Sequence, residues 1–375
     1  MTGLYSVRTI SSDEHLEFIN RQSSVSFLQT PAWALVKAEW RGESIGWFQG
    51  ETLVGAGLVL FRKVPKLNRY LAYLPEGPAI DWATDLNDWL PPMIQHLKQS
   101  GAFGIRMGPP VIAHTWDAAT IKSAIADPDV TLLSDVTPTE TNEQAQSVVA
   151  HLQKSSWQKL GATNGFAAGQ PAFNYQVPLA GRTEADVLAG MNQLWRRNIK
   201  KAAKLGVEVT TGTRADLVDF HRVYLETAER DGFTGRPLSY FEQMWDALIN
   251  EDADRIRVYL AHHEGDLVAS TIWIRVGEHA WYSYGASTTH KRDVRGSNAI
   301  QWNMIRDSIA ADASVYDLRG ITETVDTNDP HVGLIQFKVG TGGEAVEYLG
   351  EWDYVINRPL YAAFSAYLKR RSAKG

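Results

Sequence analysis

The pattern of apolar and polar positions changes period along the chain and predicts alternating strands and helices. Alternating or continuous apolar stretches indicate strands, and apolar residues repeated every three or four positions indicate helices. The predicted strands are residues 44–49, 53–62, 102–107, 173–179, 207–211, 256–262, 267–276, 279–284 and 315–318. The predicted helices are residues 31–40, 88–98, 141–160, 183–205, 214–231, 238–250, 298–311 and 359–369.

Turn and cap residues refine these boundaries. Gly50-Glu51-Thr52 and Gly277-Glu278 each separate two predicted strands, which indicates two β-hairpins. Thr30-Pro31 has the pattern of a helix start, and Pro91-Pro92 lies in the first turn of its helix or marks its start. Residues 127–143 are rich in Thr, Asp and Pro and predict a loop or a link between domains. The sequence therefore predicts an α/β (α+β) protein with two halves of similar size.

Length and composition limit the class of protein. The 375 residues are more than one core usually serves, which predicts two domains. With 37 Lys and Arg against 43 Asp and Glu, the net charge of −6 argues against a nucleic-acid coat or a membrane-surface protein, although it allows a local basic patch. Cysteine is absent, which excludes disulfides, thiol nucleophiles, iron–sulfur clusters and cysteine-ligated zinc. The longest apolar run, residues 53–61, is about half of the ~20 residues that span a bilayer, and we read no signal peptide at the start. We expect a soluble, cytoplasmic protein.

The first candidate site is a cluster of cations in residues 195–204. Its members are Arg196, Arg197, Lys200, Lys201 and Lys204. Met191, Trp195 and Ile199 form the apolar stripe of the predicted helix and leave these cations on its other faces. Like charges four residues apart cost roughly 0.2–0.5 kcal/mol per pair, so a bound anion, for example an RNA phosphate, would relieve repulsion. A solvated helix face neutralised by acidic neighbours is an equally good interpretation.

The second candidate is Lys338, in the segment FKVGTGG of residues 337–343. A lysine that follows an aromatic residue and precedes a glycine-rich turn can direct its ammonium at an anion or a developing oxyanion. The segment is not a Walker loop, because no Gly-Lys-Ser/Thr follows and no helix is predicted to begin there. Taken alone, it is better explained as an ordinary β-turn with an exposed lysine.

The third candidate comprises Arg236 and Tyr240, on either side of the start of the helix predicted at residues 238–250. Backbone N–H groups at a helix start favour anions, so an arginine with aromatic neighbours there can hold a phosphate. A structural arginine bound to backbone carbonyls explains the residues at least as well. The histidine spacing of a zinc site and the nucleophile elbow of serine hydrolases are absent, and residues 293–298 match the coenzyme A loop of acetyltransferases poorly.

Seven segments resemble, in the same order, the FemABX family of peptidoglycan-bridge aminoacyltransferases. They are SFLQTPAWALVKAEW (26–40), YLPEGPAIDW (73–82), RRNIKKAAKLGVEV (196–209), ERDGFTGRPLSYF (229–241), YSYGAS (282–287), LIQFKVGTGG (334–343) and EYLGEWDYVINRPLY (347–361). The resemblance covers nearly the whole chain and is to the compact FemX type, without a long coiled-coil arm. It implies two tandem GNAT-like (acyl-CoA N-acyltransferase-like) domains, one formed by residues 1–149 with 350–375 and the other by residues 150–349.

The resemblance also implies an activity and a set of binding residues. The activity is transfer of an amino acid from aminoacyl-tRNA to the stem-peptide amine of UDP-MurNAc-pentapeptide or lipid II, which builds the interpeptide bridge. The residues that hold the diphosphate of the precursor in such enzymes match Lys37, Arg236 and Tyr240 here. A tyrosine of the YSYG strand joins them, and either Tyr282 or Tyr284 fits that role.

Lys338 is the residue for which the resemblance implies a catalytic role, facing the tRNA end and the reacting ester. Attack of an amine on an ester requires positioning, a route for one proton and stabilisation of an oxyanion, which Lys338 can supply. The reaction requires no metal, thiol or redox cofactor, so we expect aminoacyl-tRNA as the co-substrate and no cofactor. The family often has an acidic residue before a proline where this chain has Gly108, so an acceptor contact or a proposed base is missing.

Three other functions fit parts of the pattern. One is an N-acyltransferase of the GNAT type that uses acetyl-coenzyme A, and another is tRNA-dependent acylation of a small molecule or peptide in secondary metabolism. The third is a non-catalytic protein that binds a cell-wall precursor or RNA. For the main interpretation we expect a monomer whose partners are aminoacyl-tRNA, bound by the cations of residues 196–204, and the precursor. We expect no DNA binding and at most peripheral contact with a membrane.

Overall fold

The structure is a computed structural model that describes residues 4–161, 169–329 and 332–372. Its helices are α1 (Ser12–Ile19), α2 (Pro31–Val36), α3 (Leu86–Gln99), α4 (Ala118–Ala126), α5 (Glu143–Lys154), α6 (Glu184–Gly190), α7 (Gln193–Lys204), α8 (Leu217–Asp231), α9 (Leu238–Glu251), α10 (Gly296–Ala310), α11 (Val332–Val339) and α12 (Arg358–Ser372). Its strands are β1 (Ser6–Thr9), β2 (Arg41–Gln49), β3 (Thr52–Lys63), β4 (Tyr70–Leu74), β5 (Ala102–Met107), β6 (Ile112–Asp117), β7 (Glu140–Thr141), β8 (Trp157–Lys159), β9 (Phe173–Pro178), β10 (Glu208–Thr211), β11 (Ile256–His263), β12 (Asp266–Val276), β13 (His279–Ser287), β14 (Val315–Gly320), β15 (Glu344–Tyr348) and β16 (Trp352–Val355). Each of the predicted strands coincides with one of these.

Residue contacts divide the chain into two units. The first consists of Met1–Ala113, Thr141–Ala172 and Glu347–Gly375, and the second of His114–Glu140 and Phe173–Val346. These limits differ from the expected boundary at residue 149, which falls inside α5. The reason is that α5 and β8 belong wholly to the first unit, whereas α4 belongs to the second.

The first unit is built on a sheet of seven strands in the order β1-β2-β3-β4-β5-β16-β8. The predicted hairpin is formed by β2 and β3, which pair from Gln49 opposite Thr52, and Gly50 takes the left-handed conformation (φ +59°) at its turn. β4 and β5 run parallel and are connected through α3. The core of the unit contains Trp47 and Trp352, each at most 1% exposed, so two of the abundant tryptophans are apolar anchors.

The second unit is built on a sheet of nine strands in the order β10-β11-β12-β13-β14-β9-β15-β6-β7. β12 and β13 form the second predicted hairpin, from Val276 opposite His279. β13 and β14 run parallel and are connected through α10. Helices α8 and α10 both pack on this sheet, which satisfies the mixed α/β prediction.

The two units share an order of elements. In the first, the antiparallel strands β2, β3 and β4 are followed by a helix and by β5, which pairs with β4 in parallel. In the second, β11, β12 and β13 are followed by α10 and by β14, which pairs with β13 in parallel. The order strand–strand–strand–helix–strand is therefore repeated, although no short repeat is visible in the sequence.

The helix predicted at residues 183–205 is broken into α6 and α7. Met191 is extended (ψ 149°), and the side chain of Asn192 accepts the N–H of Trp195 as an N-cap. Because Met191 lies outside α7, it does not continue the predicted apolar stripe of that helix, although its side chain is buried. The break fixes where the basic helix begins.

Other helices differ from prediction at their ends. α3 begins after the N-cap Asp85, so Pro91-Pro92 lie in its interior rather than in its first turn. α2 ends at Val36, and the helix predicted over residues 141–160 ends at Lys154, where β8 follows. The predicted loop of residues 127–143 includes β7, and the sequence predicts none of the helices α1, α4 and α11.

The longest helices in the described residues have 15 residues, so these parts of the chain form no coiled-coil arm. Across the same ranges, none of the helices combines the length and the apolar character that crossing a bilayer requires.

Candidate active site

Lys338 lies on α11, which carries its side chain into the interior of the second unit. The side chain is 3% exposed. Its Nζ donates hydrogen bonds to three consecutive main-chain carbonyls, those of Leu318 (2.7 Å), Arg319 (3.1 Å) and Gly320 (2.7 Å). An ammonium group has three donors, so all of them are used. The interpretation of an exposed lysine on a β-turn is wrong, because the residue is helical and buried.

The three carbonyls converge on Lys338 because the chain turns sharply at the end of β14. Arg319 has φ +61°, in the left-handed region that residues other than glycine rarely adopt. The carboxylate of Asp317 accepts the N–H of Arg319 at 2.5 Å and so holds this conformation. Asp317 is 1% exposed; it also accepts a hydrogen bond from Gln176 (3.0 Å), and His279 Nε2 lies 3.4 Å from it. Asp317 thus fixes the turn that binds the lysine.

Burial brings Lys338 close to its titration point at neutral pH. It lowers the pKa of Lys338 to about 7, and the nearby Asp317 carboxylate partly opposes the shift. Burial also acts to raise the pKa of Asp317, but the nearby His279 and the N–H of Arg319 hold that pKa below its usual range. An anion that forms beside Lys338 would therefore favour its ammonium form.

Trp195 connects the basic helix α7 to the segment that carries Lys338. Its Nε1 donates to the carbonyl of Phe337 at 2.8 Å, and the N–H of Asn192 donates to the carbonyl of Gly340 at 2.9 Å. A Cβ added at Gly340 would lie 2.1 Å from Cδ1 of Trp195, so only glycine allows this approach. Two motifs that are separate in the sequence are therefore in direct contact.

Four of the five cations of the basic helix are exposed, and the fifth is structural. Nη1 of Arg196 donates to the carbonyls of Ala189 (2.9 Å) and Met191 (2.5 Å) and so holds the junction of α6 and α7. The exposed cations are Arg197, Lys200, Lys201 and Lys204. Lys201 lies 4.0 Å from Asp293, but such an exposed pair contributes little. α7 therefore presents a positive surface suited to a phosphate backbone.

Arg236, Tyr240 and Tyr284 form a second cluster within the second unit. The hydroxyls of Tyr240 and Tyr284 are 3.3 Å apart, and the guanidinium of Arg236 lies 4.5 Å from the centroid of the Tyr240 ring. The hydroxyl of Tyr224 accepts the backbone N–H of Arg236 at 3.4 Å. Arg236 is exposed beside the first turn of α9, which receives no side-chain cap from the described residues. This combination of donors is suited to binding an anion.

A β-bulge determines which tyrosine of β13 joins the cluster. Tyr284 pairs with Ile272 and Tyr282 pairs with Trp273, so tyrosines two positions apart oppose adjacent residues of β12. Adjacent residues of a strand point to opposite faces, and therefore the two tyrosines do as well. The structure thus brings Tyr284, and not Tyr282, to Arg236. Burial raises the pKa of Tyr282 to about 12.

Lys37 belongs to the first unit, where it forms the C-cap of α2. The helix begins at Pro31 after Thr30, as the sequence predicts. Nζ of Lys37 lies 5.9 Å from the centroid of the Trp33 ring, at the limit of a cation–π contact.

Gly108 occupies the position where the family often has an acidic residue. In this structure it lies beside the carboxyl group of Glu351. A Cβ added at Gly108 would lie 3.9 Å from Cγ of Glu351 and 3.4 Å from the backbone nitrogen of Glu76. Glu351 is 7% exposed and accepts a hydrogen bond from the Tyr73 hydroxyl at 2.6 Å. Burial raises the pKa of Glu351. Glu351 lies in the segment 347–361 that resembles the family, but no sequence signal indicates it as a site residue. No cluster of three or more His, Asp or Glu suited to a metal ion occurs in residues 4–161, 169–329 and 332–372.

Comparisons with known proteins match almost the whole chain. The FemAB family model matches residues 10–264 and 250–370. The lipid II:glycine glycyltransferase of Staphylococcus aureus (strain MRSA252) is 23% identical and that of Staphylococcus saprophyticus is 24% identical, each over 94% of this chain and 93% of the relative. A crystal structure of FemX has a TM-score of 0.79 at 22% identity, covering 96% of this chain and 99% of that one. A tandem GNAT protein from the clavulanic acid biosynthesis pathway has a TM-score of 0.51 at 10% identity, over 93% of this chain and 98% of that one. These likenesses confirm the predicted fold class, an α/β (α+β) chain with two tandem GNAT-like domains.

Proposed function

The chain belongs to the FemAB family, and on that premise we propose that it is an aminoacyltransferase that builds the interpeptide bridge of a peptidoglycan precursor. The observation that carries this proposal is the alignment of 94% of the chain with relatives named lipid II:glycine glycyltransferases. We extend the proposal to the two substrates. The donor is aminoacyl-tRNA, and the acceptor is the stem-peptide amine of UDP-MurNAc-pentapeptide or lipid II.

The transfer is a direct aminolysis of an ester. The acceptor nitrogen attacks the carbonyl carbon of the aminoacyl ester and forms a tetrahedral oxyanion. The C–O bond to the tRNA ribose then breaks, so that an amide is formed, the nitrogen loses one proton and the ribose oxygen gains one. No thioester is possible on this chain because cysteine is absent, and the balance requires no cofactor.

Lys338 stabilises the oxyanion in this proposal. Its ammonium is held at one place by three carbonyls and lies in a buried environment, where a fixed charge acts more strongly than in water. To bind the oxyanion, the ammonium exchanges one of these carbonyl acceptors for it. The Asp317 carboxylate favours the charged form throughout.

The remaining site residues bind substrates. Arg236, Tyr240 and Tyr284 bind the diphosphate of the precursor, and Lys37 is a further contact to it. The exposed cations of α7 bind the phosphates of the tRNA, and Trp195 joins their helix to α11. Because the net charge of the chain is −6, tRNA binding is weak and depends strongly on salt, which suits release of each deacylated tRNA.

Glu351 supplies the carboxyl group that position 108 lacks. Glu351 directly precedes β16, its side chain reaches the space beside Gly108, and its raised pKa allows it to hold or accept a proton. We propose that it contacts the precursor. The protein acts in the cytoplasm, where charged tRNA is available.

The test is transfer of labelled amino acids from charged tRNAs to UDP-MurNAc-pentapeptide and to lipid II, side by side. We expect a product with at least one acceptor and a loss of that product in Arg236→Ala. A parallel reaction with acetyl-coenzyme A should give no acetylated precursor. No product with either acceptor would exclude the proposal, and acetylation would support a GNAT-type N-acyltransferase instead.

A further inference from the structure

Positive charge is concentrated in two short segments of a chain whose net charge is −6. Residues 62–69 contain four Lys or Arg and no Asp or Glu, and residues 358–375 contain five Lys or Arg and no Asp or Glu. The rest of the chain has 28 of the 37 Lys and Arg against all 43 Asp and Glu. The two segments are therefore opposite in sign to the remainder of the molecule.

These two segments pack against each other in the first unit. Residues 64–69 form the turn between β3 and β4, and Val64 shares an apolar cluster with Phe364 of α12. Leu368, one turn further along α12, packs against the same cluster, and the guanidinium of Arg62 lies 5.9 Å from the Phe364 ring centroid. The cations of the turn therefore lie near those at the end of α12. We call this the basic surface, and its members with described side chains are Arg62, Lys63, Lys66, Arg69 and Arg370.

Each of the two segments also carries one exposed apolar side chain. Leu67, at the tip of the turn next to Lys66, is 47% exposed, and Tyr367 is 42% exposed on α12, where it stacks on Phe364. One exposed leucine alone would be ordinary. Exposed cations in the same segments as an exposed leucine and an exposed tyrosine are, however, the composition of a membrane-interface surface, because the cations attract anionic headgroups and the apolar groups enter the headgroup boundary.

We propose that the basic surface docks the first unit on an anionic phospholipid bilayer, with Leu67 and Tyr367 at the headgroup boundary. RNA is the other polyanion that such cations could bind, but a phosphate backbone offers nothing to an exposed leucine. The second unit already has exposed cations on α7 for that purpose. The proposal rests on charge and exposure, and it holds whether the acceptor is soluble or carried by a lipid.

The experiment is flotation with vesicles of phosphatidylcholine alone and of phosphatidylcholine mixed with phosphatidylglycerol. We expect the protein to float with the mixed vesicles only, and less so as salt increases. The variant Lys63→Gln/Lys66→Gln/Arg69→Gln should bind these vesicles about a hundredfold more weakly, since each basic residue near an anionic surface contributes about fivefold. Leu67→Ser should weaken the binding that remains at high salt, where the electrostatic part is screened.

The matched control is the α7 triple variant, Lys200→Gln/Lys201→Gln/Lys204→Gln, which removes the same number of exposed cations from the second unit. It should bind vesicles like the parent and bind tRNA more weakly, whereas the basic-surface variant should show the reverse. Both variants should keep the parent's thermal midpoint, and the basic-surface variant should transfer amino acids to soluble UDP-MurNAc-pentapeptide at the parent's rate, which separates docking from catalysis. The proposal is overturned if the protein does not bind mixed vesicles, or if both triple variants lose vesicle binding to the same extent. It is also overturned if the basic-surface variant loses tRNA binding and keeps vesicle binding.

Discussion

Replacing Lys338 with methionine removes the ammonium and keeps a long, unbranched side chain. In the structure the change leaves the carbonyls of residues 318–320 without their buried donor. A buried polar group that loses its partner costs about 1–3 kcal/mol, so the second unit should lose several kcal/mol of stability unless water enters. Loss of one oxyanion donor lowers turnover by roughly 10²–10³. Lys338→Met should therefore be both less stable and much slower.

The two effects are separated by measuring them on the same preparations. Urea unfolding gives the loss of stability, and single-turnover transfer, corrected for the folded fraction, gives the loss in the chemical step. Lys338→Arg is the control, because it keeps a positive charge and several donors while its bulk strains the turn at Arg319. We expect it to retain more of the transfer rate than Lys338→Met at a similar loss of stability. A folded Lys338→Met with unchanged turnover would refute the role of the ammonium.

Four further predictions address the rest of the site. Because burial lowers the pKa of Lys338 to about 7 and the active form is the ammonium, kcat should decline as the pH rises through about 7, and a pH–rate profile of Lys338→Arg should lack this decline. Tyr284→Phe should raise the KM for the precursor while Tyr282→Phe leaves it unchanged, and equal effects in steady-state kinetics would contradict the assignment by the bulge. The α7 triple variant should reduce the slope of log K for tRNA against log salt by about 2–3 in a filter-binding assay, and an unchanged slope would place the tRNA elsewhere. Glu351→Gln should lower transfer at neutral pH without changing tRNA affinity, and an unaltered transfer rate would remove Glu351 from the site.

Nine of the sixteen strands in the described residues could be predicted from sequence because strand signals are local. Gly50 and Gly277 mark tight turns between apolar runs, and both hairpins form where those signals place them. The split of residues 183–205 was harder to predict, because Asn192 is compatible with a helix interior and becomes a cap only when Trp195 is anchored on Phe337. Tertiary contacts, rather than propensity, set that boundary.

The sequence indicates candidate residues for the site but not the contacts between them. The motif indicates Lys338, but the segment before it has no periodic pattern, so the sequence does not predict its helix or the burial of its ammonium. Asp317 gave no signal at all, since a single acidic residue in a strand reads as solvent-exposed until its partners are known. The choice between Tyr282 and Tyr284 depends on the β-bulge, where β13 has one more residue than the paired part of β12. The alternation of apolar and polar residues in the sequence does not show where such an extra residue lies.

The place of β16 in the first sheet has a consequence for how the protein is made. This strand lies between β5 and β8, and the ion pair of Arg106 with Asp353 joins residues 247 positions apart. A ribosome therefore completes β5 long before the strand that covers its edge exists. The second unit, nearly continuous from Phe173 to Val346, is available for folding first, which reverses the usual N-terminal-first order. A chain that stops short of Trp352 leaves the edge of β5 unpaired and β8 without a strand to pair with, and an unpaired edge is a template for aggregation.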